Sequence, residues 1–267
     1  MMIDACKKLN RNSIILAFPI LFDGLALLAG LYFVGFYGKG MTSIRMILEM
    51  GMPSIGHLSN IQLPMNDMRF LSIPVAELPF VTLLITITFV LVGAFLQGSY
   101  IGCLAAVAKD ELVSVKSLVR VGLKNWIQFI LLEIILFFGK IGLAAFLALF
   151  FGIIGVFASL VVFMTIRIVF IYLEFTMVVD GVGITKAFKK SRGYLMQSLL
   201  TSLPLIFLMY TVSSVLSLAL HYFWSPLMVM TMMAIYAYVM TIIQLLFMTV
   251  FVATREERAV SVKMLFA

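Results

Sequence analysis

From Trp126 to Val179 the chain is almost continuously apolar for fifty-four residues, interrupted by four charges, Glu133, Lys140, Arg167 and Glu174. A hydrocarbon core about 30 Å thick is crossed by about 20 helical residues, so this stretch is too long for one crossing and fits two, with a turn near Phe151 and Gly152. A charge near the bilayer centre costs roughly 2.5–3.5 kcal/mol on insertion scales, so each of the four requires a partner. They form a mirrored pattern: Lys140 follows Glu133 by seven residues, and Glu174 follows Arg167 by seven. Seven residues return to nearly the same helix face, so each arm carries a charged stripe. Counted from the cytoplasmic ends at ~1.5 Å per residue, Glu133 lies about 10 Å deep and Arg167 about 15 Å deep. A buried Glu133–Arg167 ion pair pinning the two helices is one reading; a polar pathway or binding cavity is the other.

The rest of the chain has the same character. With 63% hydrophobic and 12% charged residues and a mean hydropathy of +1.16, the composition excludes an ordinary soluble domain. The expected fold is all-α, a polytopic transmembrane bundle of about six helices, with spans at about 14–36, 80–105, 127–150, 153–178, 195–219 and 227–252. Lys7, Lys8 and Arg11 precede the first run, whose length and lack of a small-x-small cleavage site argue for a span rather than a cleaved leader. Asp23 and Pro19 lie inside it. The net charge of +7 does not signal nucleic acid, because the cations are placed topologically.

Tyr37 to Pro79 reads as an extracytoplasmic loop resting on the membrane. Thr42 or Ser43 would cap a short helix through Met50, lying flat with Ile44, Ile47 and Leu48 on its apolar side. Its methionines (Met41, Met46, Met50, Met52, Met65, Met68) and His57 match no copper(I) ligand spacing. His57 reads as a solvated loop residue.

In the second span Ala94, Gly98, Gly102 and Ala106 recur every four residues, a smooth ridge for close helix packing within the chain or against a second copy. Two amphipathic linkers flank the central stretch. In 109–125, Lys116, Arg120 and Lys124 form a basic row beside Leu112, Val115, Val119 and Leu123. In 180–194, Lys186, Lys189, Lys190 and Arg192 oppose Ile184, Ala187, Phe188, Ser191 and Leu195. Both rows suit an anionic inner leaflet or a docked partner. An offset of seventy residues superposes Asp110 on Asp180 and Lys116 on Lys186, which a shared need for connectors explains as well as duplication does.

Termini and linkers together hold fourteen of the nineteen Lys and Arg residues. This bias places both termini and both linkers in the cytoplasm of a prokaryotic plasma membrane. Cys6 and Cys103 then lie toward the reducing side, and no disulfide is expected. On this topology Asp23, Gln97, Glu133, Arg167 and Gln244 share a layer about 10–16 Å from the cytoplasmic ends. Lys140 and Glu174 complete the polar set.

No HExxH, P-loop, GxSxG, CxxC pair or GxGD sequence is present, so no catalytic residue, metal ligand or cofactor is assigned. The stretch VVDGVGITKAFKKSRGYLMQSL, Val178 to Leu199, resembles the linker that recurs in prokaryotic six-helix membrane proteins, including the membrane domain found beside some glycerophosphodiester phosphodiesterases. The matching positions are Asp180, Ala187, Lys189, Lys190 and Ser191. The resemblance implies a membrane module without chemistry of its own, and no phosphodiesterase barrel sequence accompanies it. Two functions are therefore expected: a non-enzymatic scaffold or accessory subunit of a membrane complex, with membrane lipids, a membrane-protein partner or a second copy as partners and no nucleic acid; or a transporter or lipid-handling protein with an inward-facing polar site.

Overall fold

The computed structural model describes residues 2–33, 36, 40–58, 79–111 and 113–265. Among them the chain is helical, with no strand, an all-α bundle. The helices are α1 (Met2–Arg11), α2 (Ile14–Phe33), α3 (Ile55–Leu58), α4 (Pro79–Ala108), α5 (Val115–Val169), α6 (Leu173–Val179), α7 (Ile184–Gln197), α8 (Leu199–Tyr222) and α9 (Pro226–Leu265). Five segments are long and apolar enough to cross a membrane: Ile14–Tyr32, Ile87–Ala108, Val115–Val179, Leu199–Tyr222 and Pro226–Arg258.

The third of these segments doubles back. Gly152 takes φ 57°, a left-handed conformation open to glycine at little cost. Beyond it Gly155 lies against the Leu147 carbonyl, and Lys140 reaches the Phe163 ring. Neither contact exists in a straight helix, where twenty-three residues span about 34 Å. α5 is thus two antiparallel arms.

Helix α9 forms the axis of the bundle: most of its spanning window is buried, whereas most of the α5–α6 window is exposed. Around α9, Tyr172, Phe175, Phe247 and Phe251 form an aromatic cluster. The hairpin packs chiefly against α4, with smaller contacts to α6 and α7. There the small-residue ridge meets its own chain: a side chain at Gly98 would touch Gly122 and Asn125, one at Gly102 would overlap Val121, and one at Gly122 would overlap Ser99 and Phe95. Ser99 Oγ donates to Leu118 O across the seam, and Trp126 Nε1 donates to Leu91 O at 2.8 Å. Ala94 is buried and Ala106 half-buried on the same helix.

Several expectations are corrected. Residues 115–125 are not a separate interfacial linker; they run unbroken into the first arm, because no glycine reversal or proline interrupts them. The expected span 153–178 is interrupted at residues 170–172 and restarts as α6. The second linker becomes α7, and its buried side carries Ala187, Ser191, Tyr194 and Leu195. Residues 2–11 form an additional amphipathic helix. Its Leu9 is buried, while Lys8 Nζ donates to Ala108 O at the α4 C-terminus and pairs with Asp110 at 2.8 Å, where a cation opposes the helix dipole.

Candidate functional site: a re-entrant segment facing a charged hairpin

The largest correction concerns residues 40–58. They contain no helix over 42–50, and Ile47, Leu48, Met50 and Met52 are buried within the bundle. Instead the segment descends along α8: Met41 N donates to His221 O, Arg45 N to Ser217 Oγ, and Ile47 N to Ser213 Oγ. Each step of four residues on α8 is about 6 Å of depth. At the bottom, Glu49 O accepts from Gln244 Nε2 (3.1 Å), Met52 N donates to Gln97 Oε1 (3.0 Å), and Ser54 Oγ and Ile55 N donate to the two oxygens of Asp23 (2.6 and 2.7 Å). The short α3 then turns back, and Ser217 Oγ donates to Leu58 O. The segment is re-entrant, with Leu48, Met50, Met52, Ile55 and Leu58 buried among the helices. Gly51 is required at the floor, because any side chain there would occupy the place of the Gln97 amide. Residues 59–78, including Met65 and Met68, lie outside the described residues.

This arrangement explains why Asp23, Gln97 and Gln244 share a depth. An unsatisfied backbone group in hydrocarbon costs several kcal/mol, so irregular backbone at membrane depth persists only where protein or a water-filled cavity satisfies it. Three polar side chains from α2, α4 and α9, with two serines of α8, supply those bonds. They hold a segment in place.

The charged residues form a second group beside it. Arg167 Nη1 lies 2.8 Å from Glu174 Oε1, and the side chains are only 12% and 3% exposed. The expected Glu133–Arg167 pair is therefore not the close one: the break at 170–172 turns Glu174 back toward Arg167. Glu133 and Glu49 act on Arg167 through their fields, while Lys140 and Arg167 act on Glu49. Glu49 in turn pairs with His57 Nδ1 at 2.9 Å, its own side chain 49% exposed, and Arg45 Nη1 donates to His57 O. His57 is thus engaged, not a solvated loop residue. Glu133 and Lys140 are exposed. Glu49 is thus half-exposed and lies within the fields of Lys140 and Arg167 on the α5 hairpin.

Where α6 passes into α7, Asp180 gathers Lys190 (2.9 Å), Arg255 (2.7 Å) and Tyr194 (3.0 Å). Burial pushes its carboxyl upward, but the bonds from Lys190, Arg255 and Tyr194 outweigh burial and hold it below the ordinary aspartate range. Lys190 is accordingly part of a clamp on Asp180, with its side chain 44% exposed. Lys116, Arg120, Lys124, Lys186, Lys189 and Arg192 remain exposed. Cys6 and Cys103 are free thiols. Among the described residues no cluster of His, Cys, Asp or Glu is arranged to hold a metal. Comparison with protein-family models, with curated proteins and with solved structures finds no match to this chain.

The sequence signals for the re-entrant segment were indirect. Its own residues read as a loop, and only the depth shared by Asp23, Gln97 and Gln244 pointed to a buried polar demand.

Proposed function

We propose that this chain is a six-crossing plasma-membrane protein with cytoplasmic termini, of the transporter or lipid-handling class, whose working site is the cleft between residues 40–58 and the α5 hairpin. The observation that carries this reading is the re-entrant segment itself. It carries Glu49 and His57 into the bundle, Glu49 within the fields of Lys140 and Arg167, and interrupted or irregular backbone at membrane depth is how transporters build substrate sites. A scaffold gains nothing from an exposed carboxylate at that depth. Two arms of α5–α6, each long enough to cross, raise five apolar segments to six crossings, and the basic excess of the linkers supports the orientation. The resemblance of the 178–199 linker to six-helix membrane modules is compatible with this architecture.

The accessory-subunit reading retains one supporting observation, the exposed rows Lys116, Arg120, Lys124 and Lys186, Lys189, Arg192, which suit an anionic leaflet or an acidic partner.

Thiol accessibility separates the two. With Cys6→Ser as background, a cysteine at position 49 or 140 is expected to react with a small polar thiol reagent in intact membranes. Protection of both positions would indicate a packed core and return the scaffold reading. Gln97 and Gln244 are unsuitable reporters, because both hold the segment's backbone.

A further inference from the structure

Lys140 stands about 21 Å along the first arm from Trp126 and about 18 Å before the reversal at Gly152, near the middle of the crossing. Its ammonium lies 5.5 Å from the centroid of the Phe163 ring on the facing arm. Among the described residues it makes no ion pair within 4 Å. The carboxylate whose field it shares, Glu49, is already bonded to His57. An ammonium at this depth with only a ring face for company calls for an anion.

Arg167 supplies a second, independent sign. A guanidinium carries five N–H donors, and among the described residues this one makes a single hydrogen bond, to Glu174 Oε1. The Arg167 side chain keeps 12% of its surface exposed. The partner is no better satisfied: Glu174 Oε2 is buried with no donor. The pair is half-made from both sides, so Arg167 retains donors beyond its one bond to Glu174, on a guanidinium fork of the kind that grips a carboxylate or phosphate. Three carboxylates, Glu49, Glu133 and Glu174, act on Arg167, and Glu49 is also within the field of Lys140, which disfavours a multiply charged guest. At the same depth Phe138, Ile141, Val162 and Ile166 are exposed and apolar, so the surface beside the cations meets acyl chains rather than water.

We propose that the cleft takes the headgroup of a membrane amphiphile bearing a single anionic group, a phosphodiester or a carboxylate, with Lys140 and Arg167 as its binding residues. The inference rests on the transporter or lipid-handling reading and specifies its substrate class.

The test uses the full chain in phosphatidylcholine nanodiscs doped with a photoactivatable phosphatidylglycerol. Saturable crosslinking at about one lipid per chain is expected. Lys140→Gln, which removes no ion pair from the protein, should weaken it roughly tenfold, the loss of one charge-assisted contact. Glu174→Gln, which frees Arg167 from a charged competitor, should strengthen it. Equal labelling by a phosphatidylcholine probe, indifference to Lys140→Gln, or full competition by soluble glycerol phosphate at the same concentration would each overturn the proposal. If no lipid is captured while a cysteine at position 140 still reacts with thiol reagent, this inference fails and the polar-site reading stands; if that cysteine is also protected, both fall.

Discussion

Asp23 and Glu174 are both buried carboxylates inside spanning helices, yet they are built in opposite ways. Asp23 places each oxygen on a donor of one segment, Ser54 Oγ and Ile55 N, both neutral. Glu174 places one oxygen on the Arg167 guanidinium and the other on nothing. The first arrangement is closed: every acceptor is spent, and the carboxylate fixes the floor of the re-entrant segment. The second is open, with spare capacity on both partners. Buried polar groups left half-satisfied are costly, which is why the proposed binding site is assigned beside this pair. In this molecule the carboxylate that anchors residues 40–58 and the half-paired carboxylate of α6 are different residues on different helices.

That contrast can be broken by mutation. Asp23→Ala should be the most damaging change, stranding a buried hydroxyl and a buried N–H at about 1–3 kcal/mol each; thermal unfolding in mild detergent should show the loss, with residues 40–58 becoming protease-sensitive. Glu174→Gln should cost less, about 1–2 kcal/mol against the 3–5 typical of breaking a buried ion pair, because the amide retains an acceptor for Arg167 and Glu49 and Glu133 still act on it. If Glu174→Gln destabilises as much as Asp23→Ala, the distinction between anchor and exchangeable site collapses. Gln97→Ala and Gln244→Ala should each cost about 1 kcal/mol, since each removes one bond to the segment; their double mutant should approach the Asp23→Ala phenotype if the three act on one segment. The smallest effect belongs to Asp180. Its folded carboxyl titrates below its unfolded value, so its contribution is present above about pH 4 and is lost as the pH falls through the lower, folded value. Asp180→Asn should flatten the acid limb of stability against pH by lowering stability at neutral pH, and should leave stability below the folded titration comparatively unaffected.

Much of the scaffold was legible without coordinates. Apolar length pointed to an all-α chain with several helices able to cross a membrane, and the double length of 126–179 located the reversal where Gly152 makes it. Helix counting put Asp23, Gln97 and Gln244 at one depth, and they do converge, on a single segment. What could not be read was the segment they hold. Residues 40–58 lack helical periodicity and carry Gly, Pro and Met, the composition of a surface connector; their burial is imposed by hydrogen bonds from α2, α4, α8 and α9, which are remote in sequence. The partner of Arg167 was misjudged for a related reason. Glu133 on the facing arm is the natural choice for two unbroken helices, whereas the break at 170–172, unmarked by glycine or proline, turns Glu174 toward it.

The re-entrant segment also orders the assembly of the protein in time. Its fastenings at Ser213, Ser217, His221 and Gln244 emerge from the ribosome more than 150 residues after it does. Until α8 and α9 have been inserted, residues 40–58 have few places to spend their peptide groups and must wait in water. Seating this segment is therefore a closing event of biogenesis, and a chain that loses its last helix loses the interior of its first loop as well.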